Sequence, residues 1–340
     1  TFDAMYTFAI VGCGQIARRH AEEIRRVGRL AAVCDTDDER AAELAAAYDA
    51  KPYPTLDALL REETGLDVLS ICTPNGLHAE HAIKALQAGV HVLCEKPMCI
   101  TSVAGWQMAD TAHFFRRKLF VVKQNRFNEP VRLLRRLLEE NRLGMVYSFA
   151  VNGFWNRPED YYRNTWRGSA ELDGGILYTQ FSHFIDLLYW LLGDLAEVKG
   201  FADRRTGKPL AFPDTLALSV RTRSGVPGTL HFSINSFRHN REGSFTLFAE
   251  KGTVKIGGQY LNTLEWFDVE GMEAPVVQAA TANDYGYYQG SMSNHAQVYD
   301  GLVASLDQPA TPVLPEAIEA IHTIQMIEQI HAAIREDAGS

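Results

Sequence analysis

The chain has 340 residues, 46% of them hydrophobic and 22% charged, and its formal net charge is −9. This length exceeds most single hydrophobic cores, so we expect two domains of an ordinary globular protein. The acidic balance argues against a general nucleic-acid binder, and no apolar run approaches the roughly 18 residues of a membrane span. The N-terminus lacks the basic start and apolar core of a signal peptide, and the reduced state expected of the five cysteines favours a cytoplasmic protein.

Short β-rich runs alternate with helical patterns through residue 124. The predicted strands are Thr7–Val11, Ala31–Cys34, Val68–Cys72, His91–Cys94 and Leu119–Lys123. The predicted helices are Ile16–Val27, Asp38–Tyr48, His78–Ala88 and Ser102–Arg117. This alternation predicts a parallel sheet with right-handed crossovers.

The first strand runs into Gly12-Cys13-Gly14-Gln15-Ile16-Ala17, a G-x-G-x-x-A pattern at the start of a helix. The first glycine permits a tight turn, the second lets a pyrophosphate approach the backbone, and the helix N-terminus supplies free N–H groups. Asp35 lies 21 residues after Gly14, where an acid binds the adenosine ribose. Asp37 and Asp38 add charge that repels a 2′-phosphate, so the sequence predicts NAD rather than NADP. The two acids can equally cap the next helix.

Two further turns follow predicted strands. Thr73-Pro74-Asn75 comes after the strand at 68–72, and Glu95-Lys96-Pro97 comes after the strand at 91–94. Open α/β sheets bind ligands at the carboxyl ends of their strands. Both turns are therefore placed at the cofactor.

The second half contains strand-like runs and two long helical patterns. The strands are Met145–Asn152, Val198–Ala202, Thr215–Thr222, Gly228–Ile234, Ser244–Ala249 and Gly252–Ile256, and the helices are Ser293–Leu306 and Pro315–Arg335. Before most of these, residues 174–186 carry an apolar helical pattern with one polar line. Thr179, His183 and Asp186 recur there at spacings of four and three, which puts them on one helix face.

Together these motifs resemble the glucose-fructose oxidoreductase, inositol dehydrogenase and rhizopine-catabolism family, Gfo/Idh/MocA. The resemblance covers essentially the whole chain and rests on residues 12–17, Asp35, the two turns and residues 174–186. It implies an α/β protein with an N-terminal Rossmann fold on a parallel sheet and a C-terminal α/β domain with a large, open, mostly antiparallel sheet. We place an NAD-binding domain at 5–125 and a substrate-binding and oligomerisation domain at 126–340, with the C-terminal helix free to pack back on the first domain.

One position departs from the common family pattern. Many members have an aspartate four residues before the histidine, whereas this chain has Thr179, which leaves Asp173 or Asp186 as a substitute carboxylate. A non-acidic residue there is typical of the UDP-N-acetyl-2-amino-2-deoxyglucuronate 3-dehydrogenases of bacterial surface polysaccharide synthesis. Residues 120–126, 154–158, 161–162, 166–168 and 250–254 are also similar to that branch. The family further implies a cis bond between Lys96 and Pro97.

The resemblance implies roles for these residues. His183 is the favoured general base for a sugar hydroxyl and Lys96 stabilises the oxygen, although Lys96 is an alternative base because the oxidised nicotinamide lowers its pKa. The expected cofactor-binding residues are Gly12, Gly14, Gln15, Ile16, Asp35, Thr73, Pro74, Asn75, His78, Glu95, Lys96 and Gln124. The expected substrate-binding residues are Lys96, Lys123, Arg126, Arg157, Arg163, Trp166, Arg167, Thr179, Gln180 and His183.

Charge favours an anionic substrate. Residues 116–167 hold twelve Lys or Arg against five Asp or Glu, in a chain that is acidic overall. Such a patch suits a nucleotide-sugar diphosphate and a uronate carboxylate. The aromatic residues Trp155, Tyr161, Tyr162 and Trp166 either line the sugar pocket or pack the core.

The preferred function is NAD-dependent oxidation of C3 of UDP-N-acetyl-2-amino-2-deoxy-D-glucuronate. The alternatives are a dehydrogenase or ketoreductase for another sugar or an inositol, an NAD-dependent glycosidase of the same fold, and a cofactor-sensing regulator. The second sheet has an exposed face that needs cover. The family resemblance implies that sheet-to-sheet association buries this face, so a homodimer or homotetramer through that sheet is expected. No group of Cys, His, Asp and Glu has metal-ligand spacing, and no metal is expected. The five cysteines form no C-x-x-C pair and are expected to be buried and reduced.

Overall fold

The computed structural model describes residues 6–163, 165–277, 282–284, 289–308, 314 and 317–337. By its packing the chain divides into two compact units, residues 1–122 with 295–324 and residues 123–294 with 325–340. The break after residue 122 lies three residues before the predicted boundary, and the first unit also includes the segment 295–324. Its buried Tyr299 ring packs against Phe8 at 5.9 Å and holds it there.

The first unit is built around a parallel sheet. In chain order its elements are β1 (Tyr6–Val11), α1 (Gln15–Val27), β2 (Gly28–Cys34), α2 (Asp38–Tyr48), β3 (Lys51–Tyr53), α3 (Leu56–Glu62), β4 (Val68–Ile71), α4 (His78–Gln87), β5 (His91–Cys94), α5 (Ser102–Phe114) and β6 (Leu119–Val121). The strand order is β3-β2-β1-β4-β5-β6 and every pair is parallel. This is the doubly wound order of the Rossmann fold, and it confirms the predicted parallel sheet.

The second unit contains a larger sheet. Its elements are α6 (Glu129–Glu139), β7 (Val146–Phe154), α7 (Ile176–Thr179), α8 (Ser182–Leu192), β8 (Leu195–Asp203), β9 (Thr215–Thr222), β10 (Pro227–Ser233), β11 (Glu242–Ala249), β12 (Gly252–Gly257), β13 (Thr263–Val269), β14 (Ala282–Asp284) and β15 (Gln289–Met292). The order of the seven-stranded sheet is β13-β12-β11-β7-β10-β9-β8, with β14 and β15 paired separately. Only the β7–β10 pair of the seven-stranded sheet is parallel, which confirms the predicted mostly antiparallel sheet.

Two helices follow, α9 (His295–Asp307) and α10 (Ala317–Asp337). Helix α9 belongs to the first unit, and the division between the units falls within α10, after residue 324. Among the described residues no helix combines the length and the hydrophobicity that crossing a membrane requires.

The core of the second unit lies between its sheet and α8. Strand β9 alternates, with Leu216, Leu218 and Val220 buried and the residues between them exposed. This alternation with period two is the pattern of a sheet covered on one face. Phe184 of α8 packs edge-on against Phe232 of β10 at 5.8 Å, which seats the helix on the covered face.

The predicted continuous helix over 174–186 is wrong. Helix α7 ends at Thr179, and α8 begins at Ser182. Phe181 between them is fully buried and stacks on Phe232 at 4.7 Å. Its ring also packs against Gly153 of β7, where a Cβ would lie 2.5 Å from the ring. Anchoring this ring interrupts the helix, so Thr179 does not continue the helical face of His183.

Candidate active site

The glycine loop between β1 and α1 fits a dinucleotide. Gly12 has a φ of +89°, and a Cβ there would lie 2.6–2.7 Å from the backbone of Cys72 and Thr73, so a side chain is excluded. A Cβ added at Gly14, by contrast, meets nothing within 4 Å among the described atoms. Gly14 is also the N-cap residue of α1, and it has no side chain that could accept a hydrogen bond from the first turn of the helix. Space and N–H donors are thus available for a pyrophosphate where Gln15 opens the helix.

Asp35 lies beside this loop, directly after β2. Its Oδ2 accepts a hydrogen bond from the N–H of Cys13 at 2.6 Å, and its Oδ1 accepts one from the N–H of Asp37 at 2.9 Å. Each carboxylate oxygen can accept a second donor, such as a ribose hydroxyl. Burial and then the charge of Asp35 raise the pKa of the Cys13 thiol to about 12, so this thiol stays neutral. Asp37 caps α2 through the N–H of Arg40, which confirms the capping interpretation for that residue.

One imidazole joins the two turns at the carboxyl ends of β4 and β5. His78 is buried, with its Nδ1 2.7 Å from the carbonyl oxygen of Pro97 and its Nε2 2.8 Å from the carbonyl oxygen of Thr73. The Lys96–Pro97 peptide is cis, as the family resemblance predicts. His78, predicted at the cofactor, therefore holds the two predicted cofactor turns together.

Glu95 is buried and its carboxylate faces protein donors. Oε1 lies 2.9 Å from Nε2 of His20 and 3.2 Å from Nε2 of His295, while Oε2 accepts the backbone N–H of Lys96 at 3.0 Å. Candidate ligand atoms of His20, Glu95 and His295 all lie within 4.8 Å of one another. The fold thus forms a cluster of metal-ligating residue types that spacing along the sequence does not indicate. Its nitrogen–oxygen distances are those of hydrogen bonds.

His183 is buried near the start of α8. Its Nε2 lies 3.3 Å from Nε2 of Gln124. Among the described residues, Oε1 of Gln124, Oε1 of Gln180 and Oγ of Ser182 are buried without a hydrogen-bond partner. Buried polar atoms of this kind are normally satisfied by water or a ligand. Of these three side chains, Gln124 contacts the His183 ring, so its unsatisfied oxygen marks a polar site beside His183 in the second unit.

Asp186 balances two buried cations that the sequence assigns to the substrate. Nε and Nη2 of Arg126 each donate to one of its carboxylate oxygens at 2.8 Å, and Nζ of Lys123 lies 2.7 Å from Oδ1. A bidentate pair of this geometry fixes the guanidinium plane. The structure thus gives Lys123 and Arg126 an internal partner, and it gives Asp186 a role in holding them.

Thr179 contacts the other candidate carboxylate. Its hydroxyl donates to Asp173, whose second oxygen accepts the N–H of Gly168 at 2.7 Å. Burial raises the pKa of Asp173, and these hydrogen bonds oppose the shift. The Asp173 carboxylate is therefore hydrogen-bonded to the Thr179 hydroxyl, and position 179 is the one where many family members carry an aspartate.

Two of the predicted substrate cations share one aromatic ring. The guanidinium carbons of Arg157 and Arg167 lie 5.5 and 4.5 Å from the centroid of the Tyr161 ring. The Tyr161 hydroxyl accepts a hydrogen bond from Nε2 of Gln180 at 3.5 Å, which connects this cationic cluster to the segment before His183. Trp166 is half-buried, with the Arg167 guanidinium 5.0 Å from its ring.

The remaining predicted contacts lie elsewhere. Arg163 is exposed and pairs with Glu159 at 2.9 Å and with Asp160 at 3.6 Å, as a solvated surface residue does. Trp155 is buried in the core, 5.3 Å from Phe181, which settles its open interpretation in favour of packing.

Comparison with known proteins identifies the family. A model described as an oxidoreductase family with an NAD-binding Rossmann fold matches residues 6–122, and a model of the GFO/IDH/MocA C-terminal domain matches residues 131–255. The chain belongs to the Gfo/Idh/MocA oxidoreductase family. This confirms the predicted family and the prediction of NAD as cofactor.

Several solved and curated Gfo/Idh/MocA proteins are similar to this chain. The WlbA dehydrogenase from Chromobacterium violaceum, solved with NADH and UDP-GlcNAcA, is 31% identical with a TM-score of 0.89, over 99% of this chain and 96% of that one. WlbA from Bordetella pertussis, with the same two ligands, is 31% identical with a TM-score of 0.87, over 98% and 97%. Glucose-6-phosphate 3-dehydrogenase from Bacillus subtilis is 32% identical over 55% of this chain. The chain spans about half the length, 54%, of that curated relative.

Sequence reasoning on this Gfo/Idh/MocA chain does not predict the contact of His20 and His295 with Glu95. Both are buried and lie within hydrogen-bond distance of Glu95, the residue before Lys96, although they come from α1 and α9. One signal exists for His20, because it shares a buried helix face with Ala17, Ala21 and Ile24, where a polar side chain needs a partner. No local sequence pattern predicts that His295 contacts Glu95.

Proposed function

We propose that this protein is an NAD-dependent dehydrogenase that oxidises the C3 hydroxyl of UDP-N-acetyl-2-amino-2-deoxy-D-glucuronate (UDP-GlcNAcA) in bacterial surface polysaccharide synthesis. The observation that carries the proposal is the similarity over nearly the whole chain to two WlbA structures that contain NADH and UDP-GlcNAcA. The sugar, the carbon oxidised and the pathway are the proposed part.

The chemistry assigned to the residues follows from their types and positions. Bound NAD supplies the hydride acceptor. His183 accepts the proton of the sugar hydroxyl, because an imidazole titrates near neutral pH and this one contacts Gln124, whose buried Oε1 has no hydrogen-bond partner among the described residues. Lys96 stabilises negative charge on that oxygen, and its role as the alternative base remains a competing prediction.

The anionic part of the substrate is assigned to Arg157 and Arg167. Both guanidinium groups lie over Tyr161, and Arg157 is held by the Asn240 side chain at 3.2 Å. Guanidinium groups bind carboxylate and phosphate with two parallel hydrogen bonds. A cationic pair fixed in this way favours a charged nucleotide sugar over a free sugar or inositol.

The test is reduction of NAD by a panel of UDP-GlcNAcA, UDP-GlcNAc, glucose 6-phosphate and myo-inositol, followed by nicotinamide absorbance. We expect UDP-GlcNAcA to have the highest kcat/KM. Turnover of glucose 6-phosphate or inositol without turnover of UDP-GlcNAcA would contradict the substrate assignment. Release of an aglycone without net NADH would favour the glycosidase alternative.

The base is tested by His183→Ala. General-base catalysis contributes about 10²–10⁴-fold, so kcat should fall by that factor while the Kd for NAD is unchanged. His113→Ala removes an exposed histidine of α5, outside the second sheet, and serves as the control. A general base acts only when it is deprotonated, so kcat is expected to rise with increasing pH. If Lys96 is the base instead, this rise is lost in Lys96→Met and kept in His183→Ala.

We also propose a homodimer or homotetramer that forms through the second sheet. The large hydrophobic side chains that this sheet exposes include Phe201, Phe248 and Trp266. Exposed apolar surface of this kind favours association. Light scattering should show an oligomer that Trp266→Glu weakens, and a wild-type monomer at micromolar concentration would contradict the proposal.

A further inference from the structure

A buried chain of hydrogen bonds ends on Glu95, the residue before Lys96. The Ser70 hydroxyl lies 2.9 Å from the Tyr299 hydroxyl, which lies 2.8 Å from Nδ1 of His20. Nε2 of His20 then reaches Oε1 of Glu95 at 2.9 Å. His295 approaches the same oxygen from α9 at 3.2 Å. All of these groups lie within the first unit and are buried.

The protons in this network can be counted. Burial opposes ionisation of Glu95, but the hydrogen bonds from His20 and His295 outweigh it and hold the pKa of Glu95 well below its usual range. Burial lowers the pKa of His20, so its ring is neutral. A neutral His20 that donates from Nε2 must accept at Nδ1, and the Tyr299 hydroxyl is the donor there.

His295 fits the same count. Its Nδ1 is buried and has no hydrogen-bond partner among the described residues. Its Nε2 lies 3.2 Å from a carboxylate oxygen, which can only accept, so Nε2 is the donor in this pair. The carboxylate thus receives three N–H groups, two from imidazoles on Oε1 and one from the Lys96 backbone on Oε2.

The geometry points to a positioning role for this network. We propose that His20 and His295, acting through the Glu95 carboxylate, fix the backbone of Lys96 and so aim the lysine that the proposed function places at the sugar oxygen. On the other side of Lys96, the Pro97 carbonyl oxygen lies 2.7 Å from Nδ1 of His78. The turn is therefore held by side chains on both sides of the lysine.

The network also links the lysine to the glycine loop. His20 is on α1, the helix that starts at the loop, and His295 is on α9. Arg26 of α1 donates to the Asp300 carboxylate at 2.6 Å and to the Ala296 carbonyl oxygen at 2.9 Å, which joins the same two helices a second time. Helix α1 thus sets both the predicted pyrophosphate position and, through Glu95, the lysine position.

The inference rests on the proposed function for the role of Lys96, and its test has a readout that needs no substrate. In Glu95→Gln the amide NH2 faces a group of three donors, so at least one hydrogen bond is lost. Hydrogen exchange of the Lys96 amide, followed by mass spectrometry, should accelerate at least tenfold. In the same variant kcat should fall about 10²-fold, because displacement of a reacting group by about 1 Å costs that much.

Tyr299→Phe removes only the hydroxyl that fixes the His20 tautomer, and it should give a smaller change in the same two measurements. Tyr53→Phe is the matched control, since Tyr53 is also buried in the first unit and donates to Glu63 at 2.6 Å, away from Glu95. Unchanged exchange at Lys96 in both Glu95→Gln and Tyr299→Phe overturns the inference. If Glu95→Gln does not fold, Tyr299→Phe decides. If the wild type oxidises no sugar of the panel, the proposed function fails while the exchange measurement still decides the positioning role.

Discussion

Replacing Asp186 by Asn tests the buried charge cluster of the second unit. Asp186 has 4% side-chain exposure and binds Lys123 and Arg126, each with 6% exposure. The substitution keeps the side-chain shape but leaves two buried cations without their anion. Removing one partner of a buried ion pair costs about 3–5 kcal/mol, because the remaining charge stays desolvated.

The assay is thermal unfolding followed by tryptophan fluorescence. Trp190 is a suitable probe, since the Arg126 guanidinium lies 5.2 Å from its ring. With about 2–4 °C per kcal/mol for a domain of 150–250 residues, the expected loss in Tm is about 6–20 °C. Asp203→Asn is the control: Asp203 pairs with Arg205 at 2.6 Å, but the two side chains are 51% and 76% exposed, so about 0–1 kcal/mol is expected.

The pH dependence of this stabilisation has a definite sign. Burial raises the pKa of Asp186, but the charges of Arg126 and Lys123 outweigh burial and hold it well below its usual range. A lowered pKa means stabilisation that is complete above the unfolded value of about 3.9 and is lost as the pH falls below it. Wild type and Asp186→Asn should therefore differ most near neutral pH and converge in acid. A difference below about 1 kcal/mol at pH 7, equal to that of Asp203→Asn, would refute the reasoning.

Three further predictions concern ligand binding. Gly12→Ala should destabilise the first unit by about 1–3 kcal/mol, because its Cβ meets backbone at a positive φ, whereas Gly14→Ala should keep the wild-type Tm and raise the Kd for NAD at least tenfold in calorimetry. Asp35→Ser should reduce the preference for NAD over NADP, measured as the ratio of the two Kd values, and an unchanged ratio would remove Asp35 from the ribose site. Arg167→Ala should raise the KM for UDP-GlcNAcA about tenfold or more, while Arg163→Ala, which breaks an exposed pair, should leave KM unchanged; equal effects would contradict the assignment.

The fold of the first unit is predictable because local signals agree with the tertiary structure. Strands β1, β4 and β5 are short apolar runs, and each is followed by turn residues and a helical pattern. Strand β3 escapes prediction because it has three residues, one of them Pro52, at the sheet edge. The break at Phe181 also escapes, since the apolar periodicity runs straight through it and only packing against Gly153 and Phe232 interrupts the helix.

The site is predictable wherever a motif carries it. Gly12, Gly14 and Asp35 lie where the fingerprint places them, at one loop. The basic segment after residue 116 predicts cations correctly but not their partners. Lys123 and Arg126 bind Asp186, some 60 residues later, and this pairing depends on the fold of the second unit. Charge along the sequence therefore overestimates the number of cations left for a ligand.

Each unit contains a buried carboxylate close in sequence to the residue to which we assign the chemistry. Glu95 precedes Lys96 and is held by donors from α1 and α9, while Asp186 follows His183 by three residues and is held by Lys123 and Arg126. A buried carboxylate is a costly way to stabilise a fold, since apolar residues of similar volume do as well or better. It does fix direction, because its hydrogen bonds are lost on small displacements. Each carboxylate therefore contributes most by holding a lysine or a histidine in place, and weakening either one should reduce catalysis more than it reduces cofactor binding.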